Sequence, residues 1–455
     1  MKTQSINKME VSHIFYNSNP MAMDSTSEIG ALIIEAAATG DLPTLWKIKK
    51  KVDDDQQFRR ICDEYSDFST GRNVLHHAAE VGHFDICRFL IKIVKVYINA
   101  WTYKRDTPLI EAAKGEHVKL VEYLIKQGAS ISSGNSKGYT ALHYAVLKDN
   151  RELMKLLVIK GARIDADSME GTPLQIASSR GNVEIVKFLL SHDAMPNLGY
   201  LVWESPLVCA IKSHSFECMD ALLKVHRNHA SYFIGFSPLS YAAKEGNARF
   251  LKSLLDAGAD PNSPFTGHVK PIEDAALAHN RECVEILLPV TEPIEHYPEW
   301  TVDCIMEYCD SELAKTKRED VKSQCLTKLI EAAETAMDHK NYPYAVVHFT
   351  EAKILDPSNP KWASKRSVLH AHADRRLLAL YDAEECVRLE PRFPDPHHGE
   401  GTDAAAQIFK YFFNAGLDFM VDFHNKKTAD AFRIAFFDYF AWLYMMCSPE
   451  EICEF

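Results

Sequence analysis

Between residues 73 and 276 one short hydrophobic signature recurs seven times: a polar residue, most often Thr or Ser, then Pro or a small or branched residue, an aliphatic residue, two variable positions and Ala followed by a small or branched residue. It begins at Asn73, Thr107, Thr140, Thr172, Ser205, Ser237 and Lys270, with spacings of 34, 33, 32, 33, 32 and 33 residues. A fixed period of this length means a stacked array in which each unit buries its apolar face only against its neighbours. Each copy predicts a short first helix. Thr or Ser supplies an oxygen to the orphan amides of the helix start, and Pro stands at the first helical position, where a missing donor costs nothing. A second helix follows, as in Val183–Leu190 and Phe250–Leu255, with apolar residues at helical spacing.

Leu75, Leu109, Leu142, Leu174, Leu207, Leu239 and Ile272 are the expected core ladder. Pairs such as Ala78 and Ala79, or Ala242 and Ala243, would let neighbouring first helices lie close. Gly82, Gly181 and Gly246 sit where the first helix must end in a left-handed residue, and Glu116, Asp149, His214 and His279 hold the same place with a side-chain penalty. Taken together, the Thr-Pro-Leu-x-x-Ala-Ala unit resembles the ankyrin repeat, whose period it shares. An eighth copy is read at Ile33–Asp41 as an amino-terminal cap, followed by a long loop through Asp53, Asp54 and Asp55, and the array is placed at residues 29–290.

Beyond it, residues 291–322 read as a connector with a helix at Trp300–Tyr308 and a charged segment at Lys315–Lys322. Lys340-Asn341-Tyr342, Ala345, Phe349, Ala352 and Asp356-Pro357 stand at the offsets of small and aromatic packing residues in tetratricopeptide repeats, and a step of 34 residues leads to Pro391. Residues 323–425 are therefore expected to form a tetratricopeptide-like array, two units clear and a third, from Pro394, eroded. Residues 426–455 carry an aromatic run, Phe432–Met446, expected to be a terminal helix packed on that array, with homodimerisation or membrane association as the alternatives. Residues 1–28 are expected to be a disordered tail. The order of the two arrays, with the connector Tyr297–Asp303, resembles a family of plant ankyrin proteins thought of as adaptors. The whole is all-α: an ankyrin solenoid followed by a short helical array.

Charge narrows the partners. With 51 Lys plus Arg against 63 Asp plus Glu the net charge is -12, which opposes nucleic acid and anionic lipid, so proteins are the expected partners and membrane binding is not expected. Eleven scattered cysteines without a Cys-x-x-Cys pair suggest free thiols in a reducing compartment, the cytoplasm with the nucleus as the second choice. No catalytic, cofactor or metal site is expected. His370, His372 and Asp374 do not share one helix face, and His397, His398 and Glu400 lack further ligands at a recognised spacing. His76 and His143 hold the fourth place of the pattern, where a His bonds adjacent repeats.

Partner contact is expected on the exposed side of the first helices. The fifth place of the pattern holds His77, Glu111, Tyr144, Ile176, Cys209, Tyr241 and Asp274. Tyr144, Lys148, Ile176, Arg180 and Tyr241, with Tyr139, Trp203 and Phe236 on the fingers, combine aromatics with positive charge, the composition of interface hot spots. An acidic or phosphorylated partner fits Lys148 and Arg180. The function expected is a non-enzymatic scaffold or adaptor. The alternative is a co-chaperone or client-targeting factor, disfavoured in its usual form because the carboxylate-clamp positions fall at Ile330, Glu334, Lys365, Asp395 and Gly399, of which only Lys365 attracts an anion. A helical subunit regulating an enzyme in trans remains compatible.

Overall fold

First helices begin where Pro and a hydroxyl coincide. Thr107, Thr172, Ser205 and Ser237 each accept, at 3.2–3.3 Å, the backbone N–H of the third helical residue, with Pro108, Pro173, Pro206 and Pro238 at the first position. Such a cap contributes about 1 kcal/mol, enough to matter in helices of seven residues. The structure is a computed structural model that describes residues 25–196, 205–225, 237–263, 269–372 and 376–389. They fall into two compact units that part after residue 130, the first from residue 25 and the second reaching residue 389.

The first unit holds α1 (Ser25–Thr39), α2 (Leu42–Val52), α3 (Asp55–Glu64), α4 (Val74–Val81), α5 (Phe84–Phe89, continued by a π-helical turn at Leu90–Val94), α6 (Pro108–Lys114) and α7 (Val118–Lys126). The segment after Asp53 is not a loop. Asp54 accepts the N–H groups of Gln56 and Gln57 and starts α3, and Phe58, Ile61 and Cys62 bury one face of it against α1 and α2. An apolar residue every three to four positions outweighed the acidic run that suggested a loop.

The second unit holds α8 (Ala141–Leu147), α9 (Arg151–Ile159), α10 (Pro173–Ser179), α11 (Val183–Leu190), α12 (Pro206–Lys212), α13 (Phe216–Val225), α14 (Pro238–Lys244), α15 (Ala248–Asp256), α16 (Pro271–Leu277) and α17 (Arg281–Leu287). The aliphatic ladder is buried throughout, and second helices add triplets at i, i+1 and i+4, such as Leu153, Met154 and Leu157 or Phe250, Leu251 and Leu254. Each Leu so buried stabilises by roughly 1.5–3 kcal/mol. First helices end as their residues dictate: Gly82, Gly181 and Gly246 have φ of 83°, 66° and 69°, and Glu116, Asp149, His214 and His279 are held at 52–60°.

Next come α18 (Val302–Cys309), α19 (Glu312–Asp338), α20 (Tyr342–Leu355), α21 (Pro360–His372) and α22 (Arg376–Leu389), the last four each packed on the next. α18 packs on α16 and α17, where the Tyr297 hydroxyl donates to the buried Glu273 at 3.1 Å and Arg281 pairs with Asp303 at 2.7 Å. The charged segment Lys315–Lys322 is the opening of α19, which runs unbroken across residue 322 into the helical array. Ala333, Ala345, Phe349, Ala352, Trp362 and Leu369 form the array's core. The third repeat from Pro394 and the aromatic run Phe432–Met446 lie outside the described residues.

Candidate functional site

In the second unit, α8 and α10 carry most of the expected partner-binding residues. His143 sets the start of α8: Nδ1 accepts the Thr140 N–H at 3.1 Å and Nε2 reaches the Gly171 carbonyl at 3.2 Å in the next finger. Burial holds its pKa down at about 4, so the ring is neutral and ties two repeats together. In α10 Gln175 likewise fixes the helix start, accepting the Thr172 N–H at 2.7 Å.

On this frame Lys148 and Arg180 cap the ends of α8 and α10 in equivalent places, and both are exposed. Among the described residues neither pairs with a carboxylate. Tyr144 is half-buried, its ring 5.6 Å from Tyr139 and its hydroxyl accepting from Asn135 Nδ2 at 3.1 Å. Tyr241 is half-buried beneath the Lys212 ammonium, 4.9 Å above its ring. Tyr139 and Ile176 are packing residues, 6% and 3% exposed. Burial first, then the nearby Glu170 carboxylate, drives the Tyr139 pKa up. Trp203 and Phe236 lie outside the described residues. Cations and tyrosine edges thus share one face, while the fifth-place Ile176 is turned into the stack.

The first unit places the same positions differently. Fifth-place Glu111 is 1% exposed, with Arg72 bridging it (3.1 Å) to Glu80 (2.9 Å) and Lys114 reaching Asp106 (2.6 Å). Burial raises its carboxyl pKa against the pull of Lys114 and Arg72. His77, also fifth-place, pairs with Asp67 at 3.2 Å. In the second unit Asp274 is pushed up to about 7 by burial, with Lys244 pulling the other way. Spacing alone marked these as accessible; burial and pairing made them part of the scaffold.

Among the described residues there is no group of three or more His, Cys, Asp or Glu able to hold a metal ion. His370 is fully buried, 3.7 Å from Asp382, which also pairs with Arg366. His397, His398 and Glu400 lie outside the described residues. No described helix is long and apolar enough to cross a membrane.

A model of three consecutive ankyrin repeats matches residues 33–135, 92–168, 130–200 and 164–232, and a single-repeat model matches 234–264. Together they span just over half of the chain. The chain belongs to the ankyrin repeat proteins. Ankyrin repeat protein nuc-2 of Neurospora crassa is 26% identical over 219 residues, 48% of this chain and 18% of that protein. A putative palmitoyltransferase, ZDHHC13 of Danio rerio, is 30% identical over 224 residues, 49% of this chain and 30% of that protein. The human ASB11 ankyrin repeat domain is 24% identical with a TM-score of 0.42, covering 49% of this chain and 100% of that one. The ankyrin chain thus spans less than a third of the length of either curated relative. What it shares with proteins so differently named is the repeat array, a protein-interaction module.

Proposed function

We propose that this ankyrin protein is a non-enzymatic adaptor that holds an acidic or phosphorylated partner on the first-helix face of its central repeats and a second partner on its carboxy-terminal helices. The observation that carries the reading is the pair Lys148 and Arg180: two exposed cations in equivalent places of consecutive repeats, without carboxylate partners among the described residues, Lys148 standing one helical turn after Tyr144. A charge left unpaired at a hot-spot position favours an incoming anion and speeds its approach.

The reading takes α19 to α22 as tetratricopeptide-like. What supports it is their packing in sequence around small and aromatic residues, with Phe349 and Trp362 stacked at 6.3 Å. It also places the protein in a reducing compartment, supported by the nine described cysteines, all free. The alternative, a co-chaperone or client-targeting factor, remains one without the usual carboxylate clamp: Lys365, the one cation at the clamp positions, faces Glu334 at 3.3 Å, and Asp395 and Gly399 lie outside the described residues.

The test is quantitative affinity capture by the full chain against Lys148→Glu/Arg180→Glu, after both are shown to unfold at the same midpoint. A discrete partner set lost with the variant, and hydrogen-exchange protection of residues 140–180 by a purified member of that set, is the expected result. An unchanged partner set sinks the assignment.

A further inference from the structure

We propose that two neighbouring finger tips in the amino-terminal unit, carrying Phe68, Trp101, Tyr103, Lys104 and Arg105, form a docking surface for an acidic peptide segment of a partner protein. The site shares no residue with the central face, so either can fail without the other.

The first finger is closed by a bridge between Ser66 and Asn73. Inside it the Asp67 carboxylate accepts the N–H groups of Ser69 (3.1 Å) and Thr70 (2.6 Å) and the Ser69 hydroxyl (2.8 Å). The anion is thereby turned inward, and the next side chain, Phe68, is turned out with 88% of its surface exposed. The second finger is built the same way. Thr102 donates its N–H to the Asp106 carbonyl at 3.1 Å and its hydroxyl oxygen accepts the Asp106 N–H at 3.0 Å, while the Asp106 side chain is buried against Lys114. Its exposed residues are Trp101 (59%), Tyr103 (40%), Lys104 and Arg105.

The two tips are fastened together. The Tyr103 N–H donates to the Thr70 carbonyl at 2.9 Å, and the Tyr103 ring lies so close over Gly71 that an added Cβ would come within 2.6 Å of it. Arg105 lies over the Trp101 ring, 4.6 Å from its centroid. Three aromatic side chains on a hydrogen-bonded frame lose little freedom on binding, so their burial is available as affinity. Exposed large aromatics beside arginine have the composition of an interface hot spot. The charge pattern decides what covers them. Both finger carboxylates, Asp67 and Asp106, are buried, and the charges shown outward at the tips are those of Lys104 and Arg105. A partner with Asp or Glu beside apolar residues matches this surface. Stacking aromatics and cations also suit single-stranded nucleic acid, but two tip cations would neutralise few phosphates, whereas binding that rests on a phosphate backbone draws on many.

The test uses the full chain to select from a phage-displayed random peptide library, with a fluorescein-labelled selected peptide then titrated by anisotropy. Acidic peptides with interspersed apolar residues should emerge. Phe68→Ala/Trp101→Ala should weaken them about tenfold or more, and Lys104→Glu/Arg105→Glu similarly. Their affinity should fall as salt rises from about 0.05 to about 0.3 M. All four side chains are surface residues, and unchanged thermal midpoints keep loss of binding distinct from loss of fold. The proposal is overturned if the selected peptides are neutral or basic, or if either variant binds them as the wild type does. It is equally overturned if a labelled poly(U) strand binds more tightly than the peptides, or if the patch proves to bury itself in a dimer that Phe68→Ala/Trp101→Ala dissociates in sedimentation.

Discussion

Replacing His143 should loosen the central repeats in a way that pH reads out. The ring is fully buried, accepts the Thr140 N–H and bonds the Gly171 carbonyl, so His143→Ala removes two hydrogen bonds, leaves a buried N–H without a partner and opens a cavity. At about 1 kcal/mol per bond, plus the cavity, the loss is about 3 kcal/mol. Protonation threatens the same bonds, because an imidazolium has no lone pair for Thr140. The folded-state pKa lies near 4 against 6.5 for the unfolded ring. The unfolded chain therefore binds more protons between those values, and the stability His143 contributes is present above pH 6.5 and lost as pH falls from 6.5 to 4, by on the order of 3 kcal/mol. His143→Gln supplies the control: Gln175 already fills this place in the next repeat without titrating. It should keep the wild-type stability to within about 1 kcal/mol at pH 7.5 and be less sensitive to acid. Because repeats couple mainly to their neighbours, hydrogen exchange of peptides spanning residues 139–180, at pH 7.5 and pH 5 and corrected for intrinsic rate, localises the effect. A wild-type profile from His143→Ala, or the full acid loss in His143→Gln, would refute the reasoning.

Gly82→Ala should destabilise the first unit by about 2 kcal/mol or more, since φ is 83° and the new Cβ would lie 2.5 Å from the His117 ring. Gly128→Ala, at φ 96° with nothing within 4 Å, should cost only the backbone strain of about 1 kcal/mol, and urea midpoints of the two separate clash from strain. In the helical array, Asp382→Asn leaves Arg366, 2% exposed, without its carboxylate and should cost about 3–5 kcal/mol. Arg366→Met/Asp382→Leu should lose clearly less, as read by exchange of residues 360–389; equal losses would mean that the charge is not what matters.

The repeat register was legible because every position of the unit answers to a local rule. Pro and a hydroxyl open a helix, a Leu faces the stack, and a left-handed residue closes it even where the sequence supplies Glu116 or Asp149 instead of Gly. The helix α3 was missed because its acidic start reads as a loop, and only its contacts with α1 and α2 give Phe58, Ile61 and Cys62 somewhere to go. The finger tips were overlooked for the opposite reason: Phe68, Trp101 and Tyr103 are apolar residues, and pattern alone assigns such residues to a core.

By itself the sequence determined the architecture of this protein: the ankyrin period, the two helices of each repeat and the identity of the core ladder, all set by interactions within one repeat or the next. Exposure was decided only by the tertiary structure. Tyr139, Ile176 and Glu111 occupy places that spacing marks as facing a partner, yet all three are buried, whereas Lys148 and Arg180 remain open to solvent. A residue's place in the repeat fixes its direction along the helix, but how much of it a partner can reach depends on side chains some thirty residues away, contributed by the adjacent repeat.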